Sequence, residues 1–271
     1  MTKVYILNIF NRLLATGNKM NIVETEVIRV QHCSARGVTL LTSKPEGFAF
    51  QAGHYARLSV PALAEPVWRA YSIVSAPHEP WLEYFFTVIP GGALSPHLGA
   101  LQAGDTVLMA KAAMGFFLAD SLADGEVLWL LATGTGIGPY LSMLRQQGVL
   151  QRFARVNLVC SVREAADLAY DAECRAWAAQ HAHCHYVPVV TRGEVAGGLH
   201  ERIPTLLHSG ALEQHLAMTP LDPQRDRVMV CGNPDFTADM RALLNERGFT
   251  PCRRGLSGNM LFENYWQKAT P

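Results

Sequence analysis

Charge, paired cysteines and long apolar runs are all scarce in this chain. Charged residues make up 17% of its 271 positions, and 23 Lys and Arg balance 23 Asp and Glu. A formal net charge of zero excludes a general nucleic-acid coat protein, which needs a basic excess to meet phosphate. Any charged partner must be met by a local patch. The six cysteines (Cys33, Cys160, Cys174, Cys184, Cys231 and Cys252) are too sparse for a disulfide scaffold. No two form a C-x-x-C pair, so neither a zinc ribbon nor a thioredoxin-like site is indicated. A reducing, cytoplasmic setting is the plain reading. No uninterrupted apolar run reaches the ~18 residues of a membrane helix, and repeats and low-complexity segments are missing. What is present is 49% hydrophobic residues, ample for a core. The length suits two domains of ~100–150 residues.

Residues 1–20 precede the patterned sequence as an extension. Val4 to Leu14 could form a short amphipathic helix, but Asn8, Asn11 and Arg12 interrupt the apolar centre that a signal peptide needs. Membrane association is not expected, and Met20 is a candidate internal start.

Two periodicities follow. From 21 to about 121 the signal is strands: Val23–Val30, Gly37–Thr42, Tyr55–Val60, Arg69–Val74, Leu82–Ile89 and Thr106–Ala110. Short, β-branched runs at this spacing predict a small antiparallel barrel or sandwich. From 122 to 271 strands alternate with helices. Val127–Ala132, Arg155–Cys160, His185–Val190 and Arg227–Cys231 read as strands buried on both faces. Pro139–Gln147, Asp171–Gln180, Ile203–Leu207 and Asp235–Gly248 read as helices. That alternation predicts a parallel, doubly wound α/β sheet.

Ligands of such sheets bind beyond the C-terminal strand ends, and three of those ends are informative. Gly134-Thr135-Gly136-Ile137-Gly138-Pro139 is a glycine turn into a helix, where backbone amides can approach a pyrophosphate. Its spacing is not G-x-G-x-x-G, so a tight strand-to-helix turn is an equal reading. Cys160-Ser161-Val162-Arg163 offers a hydroxyl and a guanidinium where NAD sites usually carry a carboxylate. With Arg192 and Arg202, it favours a ribose 2′-phosphate. Cys231-Gly232-Asn233-Pro234 is a sharp turn that aims a small side chain at the cleft, or merely buries a thiol. His181, His183 and His185 would share one face if they lay on a strand. No further ligand is near them, so no metal is expected.

In the first half, Arg69-Ala70-Tyr71-Ser72 sits on a strand. There Tyr71 could stack on a flat ring, Arg69 pair with a phosphate and Ser72 bond a ring nitrogen. About twenty residues on, Gly91-Gly92-Ala93-Leu94-Ser95-Pro96 opens a helix-like stretch suited to a pyrophosphate. This ordered set, with the glycine turn, Cys231-Gly232-Asn233-Pro234 and the aromatic Tyr265-Trp266, resembles the ferredoxin–NADP reductase family. It is most similar to the bacterial ferredoxin/flavodoxin–NADP reductases, over about Asn21 to Trp266.

The resemblance implies a two-domain protein, an N-terminal antiparallel β-barrel for FAD and a C-terminal α/β domain for NADP(H). It implies that FAD is held by Arg69, Ala70, Tyr71, Ser72, Tyr84, Phe85, Phe86, Ala93, Leu94, Ser95, Thr135 and Trp266. It assigns NADP to Thr135, Val162, Arg163, Thr191, Arg192, Arg202 and Cys231. Ser72 near flavin N5 and Cys231 beside the nicotinamide are the implied catalytic pair. Glu263 resembles a carboxylate near the family terminus. The implied reaction is hydride transfer from NADPH to FAD, then single electrons to ferredoxin or flavodoxin. Those acidic partners would meet a basic patch including Arg36, Arg57 or Lys111. A flavin reductase or oxygenase reductase on the same scaffold is the rival reading, and a non-catalytic redox-sensing subunit a more distant one. The five residues after Trp266 depart from familiar family termini, and a monomer is expected.

Overall fold

The computed structural model describes residues 21–146, 148, 150–253 and 255–264. The N-terminal extension, Tyr265 and Trp266 lie outside them.

The first half is a six-stranded antiparallel sheet. Its strands are β1 (Ile22–His32), β2 (Gly37–Ser43), β3 (Tyr55–Ser59), β4 (Arg69–Ser72), β5 (Trp81–Thr87) and β6 (Thr106–Ala110), ordered β4-β3-β6-β1-β2-β5. An antiparallel bridge between Ile73 and Tyr84, with Val74 N–H donating to the Glu83 carbonyl at 2.8 Å, brings the two edges together. The sheet is therefore a nearly closed barrel, which leaves little open edge. The β1–β2 register shifts between Val27 and Arg29, a bulge that turns Ile28 outward. Leu40, Leu58, Ile73, Leu82, Tyr84 and Met109 fill the interior. A short helix, α1 (Ser95–Gly99), crosses between β5 and β6.

The second half is a parallel sheet of β7 (Val127–Thr133), β8 (Arg155–Val162), β9 (Cys184–Val190), β10 (Asp226–Gly232) and β11 (Met260–Asn264), ordered β11-β10-β7-β8-β9. Helices α2 (Gly138–Arg145) and α3 (Asp171–Gln180) cover one face. On the other lie α4 (Ile203–Ser209), α5 (Ala211–His215) and α6 (Pro234–Glu246). Alternation along β7 explains its unbroken apolar sequence. Leu128, Leu130 and Ala132 pack on the α2 side, and Val127, Trp129 and Leu131 on the α6 side. The α2-side core also takes in Ala52, Val74 and Phe117 from the barrel half, so the two sheets share apolar packing.

Most elements lie within two residues of the sequence reading. β11 and α5, which it lacks, are each five residues long, too short for a period to emerge. The histidine alternation is corrected. His181 closes α3, its Nδ1 2.9 Å from the Trp177 carbonyl, His183 precedes β9 and only His185 lies on that strand. They cannot share a strand face because the helix end intervenes. No helix among the described residues is long and apolar enough to cross a membrane.

Candidate functional site

Strand order reverses at β7, which has β8 on one side and β10 on the other. In open α/β sheets the crevice at such a switch point is where ligands settle. Two chain turns leave the sheet there. After β7 the backbone tightens through 134–137, with Gly134 at φ +53°, and enters α2 with Pro139 in its first turn. After β10, Asn233 caps α6 by accepting from the Phe236 N–H at 3.0 Å. Thr133 joins the two turns: its Oγ1 lies 3.3 Å from both Asn233 N and Asn233 Nδ2. Gly232 is required by that closeness, because a Cβ there would collide with Thr133 Oγ1. Thr135 stands half-buried at the crevice mouth.

Cys231 is fully buried one residue before this turn, level with Glu263 on β11 and Ala132 on β7. Glu263 enters the sequence reading only by resemblance. Its Oε2 is buried without a hydrogen-bond partner among the described residues, and burial pushes the carboxyl up to about 7. Tyr140 on α2 lies behind both. Its hydroxyl donates to the Met229 carbonyl at 2.8 Å, and burial holds it well above the usual phenol range. Burial therefore biases the Glu263 carboxyl toward its neutral form.

At the next two strand ends the chain brings Arg163 and Arg192 together. Arg192 N–H donates to the Arg163 carbonyl at 2.8 Å, and Thr191 N–H to the Val162 carbonyl at 3.0 Å. Both arginine side chains are exposed, and neither has an ion-pair partner among the described residues. Val162 and Thr191 sit differently. The Val162 side chain is buried in the sheet core, and the Thr191 hydroxyl turns back onto the Val162 carbonyl at 3.3 Å. Arg202 stands before α4 and leans toward Asp239 at 3.8 Å, an exposed pair that water weakens.

The barrel contributes β4 and β5. Arg69 is exposed, and its guanidinium donates to the neighbouring Trp68 carbonyl. Ala70 is exposed beside it, and Ser72 is half-buried with no side-chain partner among the described residues. The Tyr71 ring stands edge-on to Phe86 at 5.2 Å, and burial raises its hydroxyl to about 12. Along β5 the alternation splits the expected set. Phe85 faces the parallel sheet, edge-on to Tyr170 at 5.2 Å, and lines a small cavity with Gly134, Ile137 and Tyr186. Tyr84 and Phe86 face the barrel interior instead. Tyr84 is fully buried with its hydroxyl donating to Met109 Sδ at 3.2 Å, so its side chain is a core residue. In the 90–95 turn Ala93 is exposed and Gly91 adopts φ +71°. Leu94 fills the barrel core, and the Ser95 hydroxyl accepts from Ile89 N–H at 3.0 Å.

A barrel set beside a parallel sheet, with a glycine turn at the switch point and a half-buried serine on the neighbouring barrel strand, is the architecture of flavin- and nicotinamide-type oxidoreductases. The oxidoreductase NAD-binding domain family matches residues 130–242. A flavodoxin/ferredoxin–NADP reductase of Shigella flexneri is 39% identical over 90% of this chain and 98% of its own. Ferredoxin–NADP reductase A of Sorangium cellulosum is 36% identical over 89% and 88%. A solved ferredoxin NADP+ reductase from Neisseria gonorrhoeae, holding FAD and NADP, superposes with a TM-score of 0.86 at 36% identity, covering 90% of this chain and 99% of that one. The chain belongs to the ferredoxin/flavodoxin–NADP reductase family.

Proposed function

We propose that this protein carries electrons from NADPH through bound FAD to ferredoxin or flavodoxin. One observation carries the reading. The β4–β5 edge of the barrel packs directly on the glycine turn at the switch point, with Val74 against Gly138 and Phe85 beside Gly134. A flavin on the barrel strand and a nicotinamide at the turn would therefore meet. The residues present suit both groups: an exposed guanidinium and an aromatic ring on β4, open positive-φ glycines at both turns, and two exposed arginines beyond β8 and β9 that have no ion-pair partner among the described residues.

FAD, when bound, accepts electrons in pairs from NADPH and releases them singly. The chain supplies position and electrostatics. Tyr71 and Ser72 orient the flavin ring, and Arg69 and the 91–95 turn hold its phosphates. Tyr84, Phe86 and Leu94 shape this half from within the core. Arg163 and Arg192 bind the 2′-phosphate, which a carboxylate at those positions would repel. Arg202 adds a weaker charge once released from Asp239. Cys231 packs beside the nicotinamide, and Glu263, level with it on β11, is biased toward its protonated form by burial. Trp266 remains proposed as a cover for adenine. The boundary between the two units falls at 121/122. Exposed Arg36 and Lys111, with Arg57, offer positive charge to an acidic partner. The proposed protein works as a monomer in the cytoplasm.

Ser72→Ala tests the flavin half. It should slow flavin reduction in stopped flow more than it weakens NADPH binding, and an unchanged rate would remove Ser72 from the reaction.

A further inference from the structure

The junction between the sheets contains a charged network that the proposed binding roles leave unused. Glu83 on β5 is buried with Ser75 Oγ accepting from its N–H. Its carboxylate takes Arg145 Nη1 at 2.5 Å and the Tyr170 hydroxyl at 2.8 Å. Arg145, the last residue of α2, reaches in the other direction to Glu173 on α3. There Nε and Nη2 meet the two carboxylate oxygens at 2.7 and 2.9 Å. One guanidinium thus joins a carboxylate from each half. Tyr170, half-buried, shares its hydroxyl with Thr39 of β2 at 3.0 Å.

The network lies on a particular face of α2. Gly138, Ser142 and Arg145 stand at i, i+4 and i+7, which share one helix face. All three touch the segment that follows β4. Val74 packs on Gly138, Ser142 Oγ donates to the Ser75 carbonyl at 2.7 Å, and Arg145 Nη1 reaches the Val74 carbonyl at 3.4 Å. Val74 and Ser75 come two and three residues after Ser72. Gly138 begins immediately after the glycine turn. Eight residues of helix, about 12 Å long, are therefore pinned along their length to the segment that leads on from Ser72. The far pin is ionic and bidentate toward α3, a geometry that a lysine cannot reproduce.

We propose that Arg145 is a positioning residue. By tying Glu83 to Glu173 it holds α2 against the 72–75 segment, and so fixes how the glycine turn presents a nicotinamide to a flavin on β4. This rests on the placement of the two cofactors proposed above. Arg145 touches neither of them. Transfer between stacked rings depends steeply on geometry, and a displacement of about 1 Å can cost roughly a hundredfold.

The test compares wild type with Glu83→Gln/Arg145→Met, which removes two of the three charges and leaves only the partly exposed Glu173 without its partner, and with Arg145→Lys, which keeps the charge and loses the fork. Three quantities are read on FAD-loaded protein. They are flavin reduction by NADPH in single turnover, 2′-phospho-AMP binding by calorimetry, and hydrogen exchange at 74–75 and 138–142 without nucleotide. The expected result is a 10- to 100-fold loss of reduction rate in the double variant, with a smaller loss in Arg145→Lys. 2′-Phospho-AMP affinity should stay within twofold, and exchange should quicken at both segments. A reduction rate within twofold of wild type would overturn the proposal. So would a rate that falls only in proportion to 2′-phospho-AMP affinity. If the double variant does not fold, Arg145→Lys decides by the same criteria. Failure of NADPH to reduce the wild type overturns the cofactor placement itself, and is distinct from a wild type that works beside unimpaired variants.

Discussion

The two halves build their share of the site differently. In the parallel sheet Arg163 and Arg192 stand just beyond strand ends, where side chains are released from packing, while Val162 and Cys231 stay buried within their strands. In the barrel the β5 candidates lie within a strand and alternate between the parallel sheet and the barrel core. Arg163 and Arg192 are consecutive in this sense, each the first exposed arginine after its strand. Tyr84, Phe85 and Phe86 are consecutive in sequence and yet split, one toward the parallel sheet and two inward. An exposed residue just past a strand end can be read by itself. A motif on a strand must be halved, because period 2 sends alternate side chains to opposite faces.

The largest expected effect breaks the turn side. If Arg163 and Arg192 read the 2′-phosphate, replacing both by alanine removes charge-assisted hydrogen bonds worth about 1.5–3 kcal/mol each. The ratio of kcat/KM for NADPH over NADH should fall by roughly two to four orders of magnitude. A ratio that stays constant would place the phosphate elsewhere.

Glu263 comes next. Its carboxyl titrates near 7 in the fold against 4.5 ordinarily, so between those values the native state holds more protons than the unfolded one. Stability is then complete below about pH 4.5 and lost as pH rises through about 7, on the order of 3 kcal/mol at most. Thermal unfolding of FAD-loaded Glu263→Gln should fall less between pH 5 and 8 than that of wild type. Parallel curves would show that the carboxyl has a partner in solution.

Gly232→Ala sharpens the role of the switch point. The added methyl meets Thr133 Oγ1 and the Phe236 ring, which should cost about 1–3 kcal/mol in denaturant unfolding. Part should return in Gly232→Ala/Thr133→Ala. An unaffected single variant would mean that the two turns are loosely joined.

The smallest effect tests the halving of the strand. Tyr71→Ala should weaken FAD binding by about tenfold, from the loss of ring contact worth ~0.5–1.5 kcal/mol beyond area. Tyr84→Phe should leave FAD affinity unchanged and lower stability slightly through the lost contact to Met109 Sδ. The reverse order would put Tyr84 on the ligand face.

The fold was legible in the sequence because the two periodicities are strong: β-branched alternation before 121, and apolar strands spaced by helices after it. Although Cys231 and Gly232 are buried, the glycine turn, Arg163 and Arg192, and the Cys231-Gly232-Asn233 turn were legible as sequence features because strand ends mark them. Three things were not. Met260–Asn264 is too short to show a period beside its glycine-rich approach. The inward fate of Tyr84 and Leu94 depends on which face the barrel closes over. Arg145, Glu83, Glu173 and Tyr170 lie far apart in sequence and join only when the sheets meet. A charge network across an interface leaves no local pattern.

The most direct test of the account is an anaerobic titration of the purified protein with NADPH and then, separately, NADH, followed by flavin absorbance. The account predicts a yellow protein that NADPH bleaches readily and NADH poorly. A colourless protein that fails to take up added FAD, or one bleached equally by both nucleotides, would contradict it.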